Sequence, residues 1–400
     1  MTTLRRRIDT YLGQLLDDER FAFYQAVAEF GDAEIAPNLL RWERDHLLVP
    51  DETIAKMGEM GLFGLPIEAE HGGQGGTHLD LVLMGLALGY HSHSVAITPG
   101  AATSLGSKPL QLFGTSSQKA AHLPDLAAGR RMIVFGLSEP GRGSDATNPE
   151  VRAVKSANGW VITGEKCWST NAKWASHVVV HALTDPTGRK GHRSTCFLVP
   201  MNARGVTYGE MGGKMVWRQS STGSISFDRV EVGDDSIVGA LHGGFKVMAE
   251  TLNGGRLFVA SLAVASLAFA LDRVSAYVQE RIQFDNKPIG RFQRVQDVVF
   301  ELDLALEEGL TWLVHLLDLY SKGTLSREQA AKVKIACSRR ASELLLDAME
   351  ICGGVACLDE FGLIRHHNDL FVTRVGEGSN RALMSQVARP LLPGIMSDLQ

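Results

Sequence analysis

Cysteine is scarce in this sequence: five in 400 residues (Cys167, Cys196, Cys337, Cys352 and Cys357), with no Cys-x-x-Cys pair. A disulfide framework and a zinc ribbon are thereby excluded, and a reducing compartment, the cytoplasm, is the expected location. Aromatic residues make up only 7% of the chain, which argues against an all-β sandwich. Neither sign of charge dominates: 40 Lys plus Arg against 45 Asp plus Glu leave a net −5. The chain therefore carries no general attraction for nucleic acid or anionic lipid. Long apolar runs are missing too. The longest, Leu257–Leu271, is broken by Ser261 and Ser266, and no apolar stretch follows the basic run Arg5–Arg7. The expectation is an unexported protein without a membrane span, its basic run a solvated N-terminal segment.

Glycine, by contrast, is plentiful at 42 residues, a balance that suits close helical packing. From Asp17 to about Leu126 the pattern is helical: Phe21, Tyr24, Val27 and Phe30 recur at three-residue spacing, and Thr77 with Asp80 resembles a capping box. Pro66–Gly76 holds Gly72, Gly73, Gly75 and Gly76, which demand turns or a close backbone approach. After Arg131 the texture becomes short β-branched or aromatic runs (132–137, 160–163, 177–183, 194–199, 224–232) parted by turn residues. After Gly244 the helical period returns. Val295, Val298, Val299, Leu302, Leu306, Leu310 and Leu313 form one stripe, and Ala330, Val333, Cys337, Ala341, Leu344 and Ala348 another, predicting two long antiparallel helices. Residues 258–271 are apolar nearly all round, as for a helix enclosed by neighbours in a bundle that completes its core by oligomerisation. The expected fold is mainly α with a central β-domain: an N-terminal helical domain (1–130), a small middle β-barrel (131–240) and a C-terminal four-helix bundle (241–400). The order α, β, α excludes alternating βα topologies.

Two motifs invite chemistry. Gly136–Asp145 reads GLSEPGRGSD, and Gly141 to Ala146 matches GxGxxA. A dinucleotide site of that type needs a helix directly afterwards, whereas Asn148-Pro149 and another strand follow, so what stays is either a glycine-rich loop whose amides can hold a ligand or an ordinary strand-to-strand connection. Lys166–Ala172 reads KCWSTNA, which puts Trp168 and Thr170 on one strand face. An indole beside a hydroxyl suits a flat heteroaromatic ring; taken alone, such a Trp is more often core packing. His91, His93, His366 and His367 lack partners at ligand spacing and read as solvated or capping, so no metal is expected. Ser104, Ser138 and Ser144 lack a Gly-x-Ser-x-Gly setting.

Taken together, GLSEPGRGSD, KCWSTNA, GGRLFVAS (254–261), QERIQF (279–284), Phe292-Gln293, EICGG (350–354) and VGEGSN (375–380) resemble the acyl-CoA dehydrogenase family in order and spacing, across nearly the whole chain. The resemblance implies FAD and usually a homotetramer, with a dimer as the other possibility. It places Phe135, Leu137, Ser138, Gly143 and Ser144, with Trp168, Ser169 and Thr170, along the flavin ring. Arg281, Phe292 and Gln293 fall at the diphosphate and adenine end, joined by Glu350, Gly353, Gly354, Ser379 and Asn380. Cationic forks and backbone amides are what a diphosphate requires. Ser144, Asn253, Arg256 and Gly378 fall at substrate positions, although Arg256 reads equally as a buried cation paired with a carboxylate.

Glu377 falls where many members carry the catalytic base. A carboxylate there removes a proton α to a thioester carbonyl while a hydride leaves the β-carbon for flavin N5. The Glu377 N–H, with a flavin ribityl hydroxyl, polarises the thioester oxygen in the family, and a closed apolar pocket raises the carboxylate pKa toward neutrality. Some relatives place the base immediately before the residue corresponding to Arg256; here that position is Gly255. The chain also departs from the family at Arg142 within the glycine loop, at Glu350, at Ala356-Cys357, at Ser379-Asn380-Arg381, and in one extra residue after Phe284. A carboxylate at Glu350 repels a diphosphate unless paired, with Arg281 or Arg339 as candidates. The implied activity is dehydrogenation of an acyl-CoA, with an electron-transfer flavoprotein as electron acceptor. A carrier-protein thioester is the alternative substrate. A flavin monooxygenase on this scaffold usually lacks the base, and a nucleic-acid-binding relative needs a basic surface that is absent.

Overall fold

The computed structural model describes residues 6–392. The chain opens with helices α1 (Arg7–Leu15), α2 (Asp18–Phe30), α3 (Ala36–Arg44), α4 (Asp51–Glu59), α5 (His78–Gly89), α6 (His93–Ala101), α7 (Lys108–Phe113) and α8 (Ser116–Ala127). The start of α5 is chemically defined: Asp80 accepts from the Thr77 N–H at 2.6 Å and from its hydroxyl at 2.9 Å, satisfying donors that a helix start leaves free. In the glycine run before it, Gly72 and Gly75 are left-handed, and a Cβ on Gly73 would lie 2.0 Å from the Ile67 carbonyl oxygen. Only glycine fits such an approach.

The middle of the chain forms an eight-stranded sheet from β1 (Met132–Gly136), β2 (Arg152–Ser156), β3 (Gly159–Thr170), β4 (Ala175–Leu183), β5 (Ser194–Pro200), β6 (Val206–Glu210), β7 (Thr222–Val232) and β8 (Ile237–Val238). The order is β6-β7-β3-β2-β4-β5-β8, and β1 lies parallel to β4 with Val134 opposite Val178. Alternation along the strands serves two cores. Val134, Val178, Val180, Phe197 and Val199 face one with Trp160, Ile162, Ile225 and Phe227; Ile133, Val179, Cys196 and Leu198 face the other, with Leu123 and Leu126 of α8. Strands β2 and β6 escape a search for apolar runs, because Ala153 is the only buried residue of the first and the second buries none.

A bundle closes the chain: α9 (Gly244–Glu280), the hairpin β9 (Ile282–Gln283) with β10 (Lys287–Pro288), α10 (Gln293–Ser321), α11 (Arg327–Cys352), α12 (Leu363–Val375) and α13 (Asn380–Ala388). Both predicted stripes are there: Leu302, Leu306, Leu310 and Leu313 of α10, and Ala330, Val333, Cys337, Ala341, Leu344 and Ala348 of α11, are buried. Helix α9, about 55 Å long by its 37 residues, is long and apolar enough to cross a membrane, yet 89% of its apolar window is buried inside the fold. It is the axis of the bundle. The N-terminal helices and the bundle share one hydrophobic core, in which Leu12, Tyr24, Trp42, Met57 and Leu83 join Leu257, Leu267, Leu306 and Leu344.

Two expectations are corrected here. The basic N-terminal run is not solvated throughout: Arg6 stacks over the Tyr90 ring at 4.2 Å and pairs with Asp32, and Arg7 pairs with Asp303 at 2.8 Å. Arg5 lies outside the described residues. Of the four histidines, His91, His93 and His366 are not solvated either. Ser266 Oγ bridges His93 Nε2 (2.8 Å) and His366 Nδ1 (3.0 Å), His366 stacks on Phe269, and burial pulls His93 down to about 3. Neutral imidazoles can serve as hydrogen-bonding core residues.

Candidate active site

Helix α12 stops at Gly376, and the next two residues are left-handed, Glu377 at φ 54° and Gly378 at φ 92°, before the Ser379 hydroxyl caps α13 by accepting from the Ala382 N–H. A left-handed glutamate is sterically unfavourable and persists only where neighbours hold it. Arg256 donates from Nε to the Glu377 carbonyl oxygen at 3.3 Å and from a terminal nitrogen to Asn253 Oδ1 at 3.4 Å. Arg256 is buried and makes no ion pair among the described residues, so the alternative of a carboxylate-paired structural cation finds no partner there. The Glu377 carboxyl group lies against α9. A Cβ on Gly255 would sit 2.8 Å from its carboxyl carbon, so the chain has left open on the helix the space that this side chain fills. Glu377 Oε2 is buried with no hydrogen-bond partner. Burial pushes the carboxyl up to about 7 against the opposing pull of Arg256 and Lys334. The backbone N–H of Glu377 also donates to no acceptor among the described residues.

A second cluster lies at one end of the sheet, where the glycine-rich loop and the KCWSTNA strand meet: the Cys167 N–H donates to Ser138 O at 2.9 Å and Lys166 Nζ to Leu137 O at 3.0 Å. Simple alternation fails at this point. A bulge between Lys166 and Ser169 turns Trp168 left-handed (φ 58°) and leaves it 64% exposed, while Thr170 is half-buried and the Ser169 hydroxyl is buried without a partner. Core packing is thus excluded for Trp168. Phe135, Leu137 and Ser138 are half-buried, and Gly143 and Ser144 are exposed with open space over Gly143. Arg142 turns away to Asp145 (3.0 Å) and Glu150 (2.9 Å), so this departure leaves the loop's ligand side free.

At the end of the bundle, Tyr277 OH donates to Cys352 O at 3.2 Å and ties the α9 terminus to that of α11, with Arg281, Phe292 and Gln293 on one side and Glu350, Gly353 and Gly354 on the other. The extra residue after Phe284 is absorbed by three consecutive left-handed residues, Phe284, Asp285 and Asn286, with Arg291 bonded to Phe284 O and Asp285. Glu350 pairs with neither predicted arginine: Arg281 makes no ion pair among the described residues and Arg339 meets Glu343. Asn380 is a further correction. Its side chain is buried, accepting from Lys334 at 2.9 Å and donating to Ser338 at 2.9 Å, so its amide faces the protein and not a cofactor. Sequence reading also passed over Lys334, although a lysine four residues after Ala330 on a buried stripe is a signal.

This donor set fits a flat, hydrogen-bonding diphosphate cofactor. Across the two clusters stand an exposed indole (Trp168), an orphaned buried hydroxyl (Ser169), a guanidinium with no ion pair among the described residues (Arg281) and glycine amides under open space at Gly143, Gly353 and Gly354. Comparison with known proteins then decides. Models of the acyl-CoA dehydrogenase N-terminal, middle and C-terminal domains match residues 17–130, 134–230 and 242–392. The chain belongs to the acyl-CoA dehydrogenase family. It is 36% identical over 383 residues to the probable acyl-CoA dehydrogenase YngJ of Bacillus subtilis, covering 94% of this chain and 99% of that one. It is 33% identical to the bovine mitochondrial short-chain specific acyl-CoA dehydrogenase, over 98% and 95% of the two chains. Butyryl-CoA dehydrogenase from Megasphaera elsdenii superposes with TM-score 0.90 at 29% identity, over 94% and 99%. As a member of this family the protein is an FAD-dependent oxidoreductase that acts on CH–CH bonds of acyl-CoA.

Proposed function

We propose that Glu377 is the base of this α,β-dehydrogenation and that the preferred acyl group is short. The observation that carries the first part is the enclosed, partnerless Oε2 against Gly255. An acid poised at about 7 is strong enough as a base to take a proton acidified by a thioester, and a neutral ground state avoids a buried charge before substrate arrives. Bound FAD supplies the hydride acceptor for the β-carbon. Glu377 takes the α-proton as the C=C bond forms, its free N–H stabilises the developing enolate oxygen, and Arg256 with Asn253 orders the loop and the thioester side of the cleft. Trp168, Ser169, Thr170 and the 135–144 loop are assigned to the flavin ring; Arg281, Phe292, Gln293, Gly353 and Gly354 are assigned to its diphosphate and adenosine end.

Support for a short acyl group comes from Phe258, one turn along α9 from Gly255. Its buried ring is wedged against α5 and α6, so that a Cβ on Gly85 or Gly100 would come within 2.8 Å and 2.2 Å of it. An electron-transfer flavoprotein as acceptor, a cytoplasmic location and a homotetramer complete the reading. Exposed Ile282, Phe284, Phe300, Leu346 and Phe371 on the bundle favour self-association. The test is anaerobic: butyryl-CoA should bleach the purified yellow enzyme, and Glu377→Gln should stay yellow without bleaching. Normal flavin reduction in that variant would remove Glu377 as the base. Comparing CoA and carrier-protein thioesters of the same acyl group tests the carrier, and a C4 to C16 series tests the length.

A further inference from the structure

Lys334 has no solvent exposure at all, and it lies on α11 in a stripe otherwise made of Ala330, Val333 and Cys337. A fully buried lysine is rare and needs a reason. Its Nζ donates to Arg374 O at 3.2 Å, Gly378 O at 2.8 Å and Asn380 Oδ1 at 2.9 Å. Three acceptors match the three protons of an ammonium group, whereas a neutral amine would turn its lone pair toward an oxygen. The acceptors have a common property. One is in the last turn of α12, one directly follows Glu377 and one starts α13, so they bracket the left-handed pair Glu377–Gly378.

We infer that Lys334 is the positioning residue of the active site: it clamps the two helix ends so that Glu377 is held left-handed with its carboxyl group against Gly255, and its charge sets how readily that group ionises. The inference rests on the proposed role of Glu377. Two independent anchors then hold one turn, Lys334 from α11 and Arg256 from α9 through the Glu377 carbonyl. The charged groups acting on Lys334 are Glu377 itself, Arg256 of α9 and Arg374 of α12, with Arg327 of α11 acting on Arg256. The cations among them, together with burial, disfavour the ammonium, and burial is the larger effect, pulling Lys334 down to about 7, while Glu377 pulls the other way. Lysine and glutamate thus favour each other's charged form, and removing the lysine leaves the carboxylate harder to form.

The test uses the FAD-loaded enzyme with butyryl-CoA, comparing the parent with Lys334→Met, Lys334→Arg and Glu377→Gln. Lys334→Met should slow anaerobic flavin reduction roughly a hundredfold and lower kcat with little change in KM, and the pH inflection of the rate should move upward. Lys334→Arg, which keeps charge and donors, should restore part of the rate and return the inflection toward the parent. A reduction rate within about twofold of the parent with an unmoved inflection would overturn the inference, even if the melting temperature falls, because a purely structural lysine behaves in that way. Should Lys334→Met fail to fold, Asn380→Ala removes one of the three acceptors and should slow reduction roughly tenfold with the same upward inflection; parent-like behaviour there also overturns it. Glu377→Gln separates the two claims. If it still reduces flavin, the base assignment fails; if it is dead and Lys334→Met is normal, only the clamp fails.

Discussion

Replacing Glu377 by glutamine should kill the reaction and, above neutrality, stabilise the protein. The carboxyl group is held at about 7 against an ordinary 4.5 because its charged form is buried. The folded protein therefore keeps this proton more tightly than the unfolded chain, and ionisation opposes folding. The sign follows. Below pH 4.5 both states hold the proton and nothing is lost; between 4.5 and about 7 stability falls as pH rises; above 7 the loss is complete. A displacement of roughly 2.5 pH units at about 1.4 kcal/mol each corresponds to about 3.5 kcal/mol, an upper bound on what an uncharged amide avoids. Unfolding entropy of about 2.1 cal/mol/K per residue over the chain converts this to a melting-point rise of about 4 °C. Differential scanning of the FAD-loaded parent and Glu377→Gln at pH 5 and pH 8.5 reads it directly. The variant should gain at pH 8.5 and match the parent near pH 5. Equal differences at both pH values would show that the carboxylate is solvated, and the case for a poised base would fall with it.

Gly255→Ala places a Cβ 2.8 Å from the Glu377 carboxyl carbon, so flavin reduction should drop more than about tenfold. The melting temperature should hold, since alanine in a helix gains up to about 1 kcal/mol over glycine. Lys166→Met breaks the fully buried pair with Glu139 (2.7 Å) beneath the glycine-rich loop; a loss of about 3–5 kcal/mol and weaker FAD retention on gel filtration should follow. Phe258→Ala should cost about 3–5 kcal/mol and move the acyl-length optimum in a C4 to C16 series upward. The rate of flavin reduction by the parent should rise with pH through an inflection near 7 and flatten above it, as the Glu377 carboxylate forms.

The helical thirds and the main strands were legible in the sequence because each rests on a local signal, a helical stripe or a β-branched run, whereas Glu377 was singled out only by the resemblance of VGEGSN to the family's motif. Arg6, His93, His366, Asn380 and Lys334 were not legible. Each is a polar residue whose burial is created by a distant segment: Tyr90 and Asp32 for Arg6, Ser266 for the histidines, and α11 meeting α12 and α13 for the Lys334 clamp. A single sequence carries no record of those meetings. Strand β2 was missed for a related reason, since backbone pairing with β3 and not apolar content makes it a strand. Trp168 shows the limit of alternation, because a bulge re-aims the side chain.

The common core of the first helices and the last ones has a consequence for how the molecule is made. Leu12, Tyr24 and Met57 leave the ribosome long before Leu306 and Leu344, the residues they join in the finished core. At roughly 5–20 residues per second, about 250 residues of further translation keep the nascent N-terminal segment waiting for some tens of seconds. The sheet, whose cores draw mainly on its own strands and α8, can close during that interval. Release of the C-terminal bundle would then be the event that lets the two ends find each other, and a ribosome stalled before α11 would present an apolar surface to chaperones.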